Sequence, residues 1–109
     1  MGRIFTFCIA AMVLGLFITF GIAGKSVSAM SGEAGFKQHC SVCHANGGNI
    51  INPQKTLHKK ALEASKIKNA EDIIMMVRKG ATGMPAVDKS ALPDEDAMEI
   101  AKYILNTFK

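Results

Sequence analysis

Hydrophobic positions follow two different rules along this chain. Residues 4–23 form an uncharged apolar run, whereas beyond residue 30 apolar positions recur three and four apart between charged ones, the mark of amphipathic helices. The clearest stripe comes last. Ala97, Ile100, Ala101, Ile104, Leu105 and Phe108 fall on one helix face; Pro93 suits the first helical position, and Asp94, Glu95 and Asp96 follow at the positive end of the dipole. The helix before it is the best punctuated: Asn69 caps it, Glu71 and Asp72 fill its first turn, Arg78 and Lys79 its last, and Gly80 stops it. Its buried side is Ile73, Ile74, Met76 and Val77, with Met75 and Met76 read as core filler. A shorter helix is predicted over 57–65 with Thr56 as cap. The first helix starts after Ser31 and runs toward Cys40. On it Gly32 and Phe36 share a face, a notch beside a large apolar group, where another helix could cross closely and Tyr103 could pack. No clear β alternation interrupts these patterns, so the expected fold class is all-α.

The first apolar run reads as an export signal. Met1-Gly2-Arg3 is a basic start and Val27-Ser28-Ala29 a small-residue cleavage site, so residues 1–29 are a predicted signal peptide and 30–109 the domain. A cut after Ala23 would leave a longer tail, and twenty apolar residues are also enough to span a bilayer, which keeps an uncleaved anchor as an alternative. Either outcome places the domain outside the cytoplasm. The expected location is the periplasm, with a thylakoid lumen or a membrane-anchored form facing the periplasm as alternatives. Cys8 lies near the start of the run, where it reads as an apolar signal residue and not as a lipid-bearing cysteine.

Charge adds an exclusion. The formal net charge is +4, from 13 basic and 9 acidic residues; removal of 1–29 takes Arg3 and Lys25 with it and leaves +2. Two acidic groups on a cofactor would cancel that, so nucleic acid is not an expected partner. Eighty residues remain after the cut, a thin core of the kind that often needs a staple or cofactor.

Cys40-Ser41-Val42-Cys43-His44 supplies one, since C-x-x-C-H is the attachment pattern for a c-type haem. Cysteines three apart share a face of a helical turn and can form thioethers to two vinyl groups on one porphyrin edge; His44 then lies under the iron as proximal ligand. Zinc would need four ligands, and the only other cysteine is Cys8. A dithiol centre would want a strand before the motif and leaves His44 unused. His39 and His58 read as exposed polar residues. The loop of residues 45–53, rich in Gly and Asn, is the expected source of a carbonyl for the second ring nitrogen of His44, because no acidic residue lies between Glu33 and Glu63.

The sixth ligand is expected from Gly80-Ala81-Thr82-Gly83-Met84-Pro85, where breakers on both sides hold one methionine in place. Met84 is thus the candidate distal ligand, and a non-ligand core role is its bland alternative. Lys55, Lys59, Lys60, Lys66 and Lys68 form either a solvated face or a docking patch for an acidic redox partner.

These residues together resemble the class I c-type cytochromes, and more narrowly the small cytochrome c-six type. The likeness covers residues 32–103: Gly32 and Phe36, the haem motif, Asn52-Pro53-Gln54-Lys55-Thr56-Leu57 with Ala61-Leu62-Glu63-Ala64, Met84-Pro85-Ala86, and Asp94-Glu95-Asp96 leading to Tyr103. It implies crossing terminal helices around a haem in the core, one covalent haem c on Cys40 and Cys43, and His44 and Met84 as axial ligands. It further implies an electron carrier with no enzyme activity and no small-molecule substrate, a monomer that meets redox proteins, possible membrane complexes among them. Two departures stand out: Met76 replaces a glutamine near the haem in photosynthetic members, and Val87 replaces an aromatic residue after Met-Pro-Ala. Both lean the reading toward a respiratory carrier. The rivals are a peroxidase-like enzyme, for which Arg78 is the nearest distal residue, and a gas sensor in which Met84 is displaced.

Overall fold

A computed structural model describes residues 29–109 of the chain. The predicted signal segment, apart from Ala29, and Cys8 lie outside the described residues. Five helices follow in order: α1 (Gly32–His39), α2 (Ser41–His44), α3 (Lys59–Ala64), α4 (Ala70–Lys79) and α5 (Asp94–Thr107), with a 3-10 turn, Ala45–Gly47, directly after α2. Among these residues there is no strand, only an isolated bridge between Ala81 and Met84. The all-α expectation therefore holds.

The terminal helices cross where the glycine notch was expected. An ideal Cβ on Gly32 would lie 2.2 Å from the Glu99 carbonyl oxygen and 2.7 Å from Tyr103 Cβ, so only glycine permits this approach. One turn along, Gly35 meets Ile100 in the same way. Phe36, 4% exposed, fills the space below, its ring 5.4 Å from those of both Tyr103 and Phe108. The tilted and edge-on geometry of this trio suits the aromatic quadrupole. The stripe on α5 is the spine of the core: Ala97, Ile100, Ala101 and Ile104 are buried along it.

Local chemistry sets most helix ends. The Ser31 hydroxyl accepts from the Ala34 amide at 3.2 Å and the Asn69 side chain from the Asp72 amide at 2.9 Å, as the cap residues predict. Gly80 ends α4 at φ +70, a left-handed conformation that a Cβ disfavours.

Three expectations are corrected. The helix predicted over 57–65 starts later, at Lys59, with His58 at the cap position and no side-chain cap. Its start is fixed by tertiary bonds: the Leu57 amide donates to the Gly47 carbonyl at 2.8 Å and the Lys59 amide to the Phe108 carbonyl at 2.9 Å. Pro93 is the N-cap of α5 and not its first residue. Met75 is 65% exposed and so is no core filler among protein atoms, while Ile73 on the same helix is buried.

Candidate functional site

The C-x-x-C-H motif straddles a break in the helix. Cys40 caps α1 through its amide, which donates to the Phe36 carbonyl at 2.9 Å, and its own φ and ψ of −120 and −34 turn the chain. A second helical turn then begins. The Ser41 hydroxyl donates back to the Lys37 carbonyl at 2.6 Å, and the amides of Cys43 and His44 both donate to the Cys40 carbonyl, at 3.2 and 2.9 Å. Both thiols and the imidazole therefore belong to one turn, and all three residues are half-buried.

His44 is held by the loop that follows it. Its Nδ1 lies 2.7 Å from the Gly48 carbonyl oxygen. A carbonyl can only accept, so Nδ1 carries the proton and donates, and the Nε2 lone pair is left for a metal. The loop itself is pinned. The Gly48 amide donates to Ala45, the Ile50 amide to Cys43 and the Leu57 amide to Gly47. Gly47 sits at φ +77 against the Phe108 ring, where an ideal Cβ would lie 2.6 Å from the ring edge. The core thus reaches His44 through Phe108, Gly47 and the Gly48 carbonyl.

Met84 stands on a two-residue turn. The amides and carbonyls of Ala81 and Met84 exchange two bonds of 2.9 Å, and Gly83 closes the turn at φ +80. This turn touches the His44 loop: a Cβ on Gly83 would lie 3.0 Å from Ile51 Cγ2. The two segments that carry the candidate axial ligands therefore meet at Gly83 and Ile51. Beyond Met84 the chain is clamped by Arg78, whose guanidinium donates to the carbonyls of Val87 (3.1 Å) and Leu92 (2.8 Å) and pairs with Asp94 at 2.7 Å. Only 19% of that side chain is exposed. A guanidinium so engaged is a structural tie, a role that the sequence, in which Arg78 reads as a helix-ending cation or the nearest distal residue of a peroxidase-like site, did not show.

The donor set and its surroundings fit a haem. Burial pushes the Cys40 thiol up to about 11, so the free thiol is protonated at neutral pH. Among the described residues no three of His, Cys, Asp and Glu converge as a metal cluster. Among the described residues four large apolar side chains are exposed: Val42, Ile50, Ile51 and Met75. Three lie in the motif and the His44 loop and one on α4. His39 is exposed, and His58 is exposed with its ring edge-on to Phe108 at 5.8 Å. The lysines at 55, 59, 60, 66 and 68 all face solvent.

Comparison with known proteins agrees with this chemistry. Residues 27–104 match the family model described as cytochrome C oxidase, cbb3-type, subunit III. Cytochrome c6 of Cyanidium caldarium is 42% identical over 81 residues, which cover 74% of this chain and 72% of that protein. Cytochrome c6 of Gracilaria tenuistipitata var. liui is 45% identical over 76 residues, 70% of this chain and 69% of the relative. Among solved structures, OmcF, the outer membrane cytochrome F of Geobacter sulfurreducens, superposes with a TM-score of 0.71 at 35% identity, over 72% of this chain and all of that one. Cytochrome c6 of the diatom Phaeodactylum tricornutum gives 0.62 at 38% identity, over 69% and 87% of the two chains.

Proposed function

This chain belongs to the class I c-type cytochromes of the cytochrome c6 kind, with one covalently attached haem c, and from that footing we propose that it is an exported one-electron carrier with His/Met ligation. Cys40 and Cys43 would hold the porphyrin edge, and His44 Nε2 and Met84 Sδ would bind the iron. The observation that carries this reading is the 2.7 Å bond from His44 Nδ1 to the Gly48 carbonyl, which fixes the tautomer and the plane of the ring. When bound, the haem supplies a ferric/ferrous couple.

The protein's own residues do the rest. The His44–Gly48 bond makes the imidazole a better donor, and the turn closed by Gly83 restricts where the Met84 thioether can go. A thioether stabilises the ferrous state, which raises the potential. Ile50 and Ile51 present exposed apolar side chains on the loop that holds His44, Ile51 against Gly83. The exposed lysines would steer an acidic redox protein, an effect on association rate and salt dependence more than on affinity. No helix of the described residues is long and apolar enough to cross a membrane. Arg78, the residue a peroxide-splitting site would need to recruit, is already engaged by Val87, Leu92 and Asp94.

Carbon monoxide tests the closed site. The reduced protein at neutral pH is expected to leave carbon monoxide unbound; tight binding would show an open or labile sixth position and favour the enzyme or sensor reading.

A further inference from the structure

One contact outside the haem site joins the two ends of the domain. The Met30 nitrogen donates to Asp96 Oδ1 at 2.7 Å across 66 residues of sequence, partly buried. Asp96 lies in the first turn of α5, where its neighbour Asp94 is taken by Arg78 and Lys89. The Met30 side chain is docked as well, with its sulfur 3.7 Å from the position of a Cβ on Gly35, beside Ile100 at the helix crossing. Met30 is also the residue that follows the small-residue site Val27-Ser28-Ala29. The sequence and the fold thus single out the same nitrogen independently.

We infer that processing after Ala29 turns this nitrogen into an α-ammonium that forms an ion pair with Asp96, so that removal of the leader completes the junction between the two terminal helices. This rests on the export reading above. A leader peptidase supplies the catalysis and water the nucleophile: the Ala29–Met30 peptide bond is hydrolysed, Ala29 leaves with the new carboxylate, and Met30 keeps the nitrogen as an ammonium. A neutral amide donor becomes a charged one facing the same carboxylate, which adds a Coulombic attraction between full charges to a bond until then charge-assisted on the acceptor side only. A cut after Ala23 would leave Met30 as an ordinary amide and the charge six residues away. The cut after Ala29 is therefore the one that places the new charge on the fold.

The test is a two-by-two comparison on exported holoprotein, with mass spectrometry first to identify the N-terminus. Asp96→Asn is made in the natural chain and in a chain with one glycine inserted after Ala29, which moves the ammonium outward and leaves an amide at Met30. Asparagine keeps an accepting oxygen, so only the charge pairing is removed. In the natural chain Asp96→Asn is expected to lower the folding equilibrium constant roughly tenfold in guanidinium titrations, and in the extended chain less than about threefold. Equal losses in the two backgrounds, with a terminus at Met30, would overturn the ion pair and leave the export reading standing. A terminus elsewhere, or an uncut chain, would overturn both the cleavage position and the pair.

Discussion

Gly32→Ala probes the crossing on which the domain is built. The added methyl would sit 2.2 Å from the Glu99 carbonyl oxygen, 2.9 Å from its carbon and 2.7 Å from Tyr103 Cβ. Two of these atoms are backbone and the third is the stiff root of a side chain, so none can swing away. Restoring ordinary contact requires α1 and α5 to part by roughly 1 Å, and forced separation of a packed interface costs about 1–3 kcal/mol. Replacing glycine in a helix returns up to about 1 kcal/mol, less at this first position. The net loss is about 2 kcal/mol, or roughly 10 °C in the melting temperature of a domain this small. Thermal melts of the holoprotein followed by far-UV circular dichroism measure it, with the visible spectrum as a check that the haem environment survives. A melting point within about 2 °C of the parent would mean that the helices do not cross this closely.

Other substitutions test other parts. Met84→Ala should open the sixth position, let carbon monoxide bind the reduced protein and lower the potential; an unchanged sixth ligand would move the role to Met75 or Met76. Lys66 sits at φ +62 just past α3, where the Ile67 amide reaches back to the Leu62 carbonyl at 2.9 Å, so Lys66→Gly should stabilise the fold by about 0.5–1 kcal/mol in guanidinium titrations. Lys89 and Arg78 hold the Asp94 carboxyl below the usual carboxylate range. Its folded-state value is depressed, so the stability it contributes is present at neutral pH and lost as pH falls below about 4. Asp94→Asn should therefore flatten the acid limb of the stability profile, and an unchanged limb would show that the Arg78–Lys89–Asp94 ties are not coupled to folding.

What could be read from the chain was what local chemistry decides. Ser31 and Asn69 are caps because a side-chain oxygen two or three residues from an unpaired amide needs no tertiary partner. The notch of Gly32 beside Phe36, with Tyr103 beside the α5 stripe and the family resemblance, pointed to the crossing. The carbonyl for His44 was foreseeable as backbone from the lack of acids in its loop, although only the fold identifies it as Gly48. Apart from the one-residue shift at Pro93, the misses are tertiary. The start of α3 depends on Gly47 and Phe108, far apart in sequence but packed together, offering carbonyls to Leu57 and Lys59. The acidic run at 94–96 reads as dipole complement, yet Asp94 ties down Arg78 and Asp96 holds Met30. Met75 belongs to an apolar run by sequence but turns outward, since the α4 face toward the core is set by Ile73.

The central claim is that His44 and Met84 together hold the iron of a haem bound to Cys40 and Cys43. Visible spectra of the exported protein, oxidised and reduced, test it most directly. A low-spin c-type spectrum is predicted, with a weak far-red thioether-to-ferric-iron band that disappears on reduction and is missing in Met84→Ala. A c-type spectrum without that band would contradict Met84 as ligand, and a protein exported without covalent haem would contradict the account at Cys40 and Cys43.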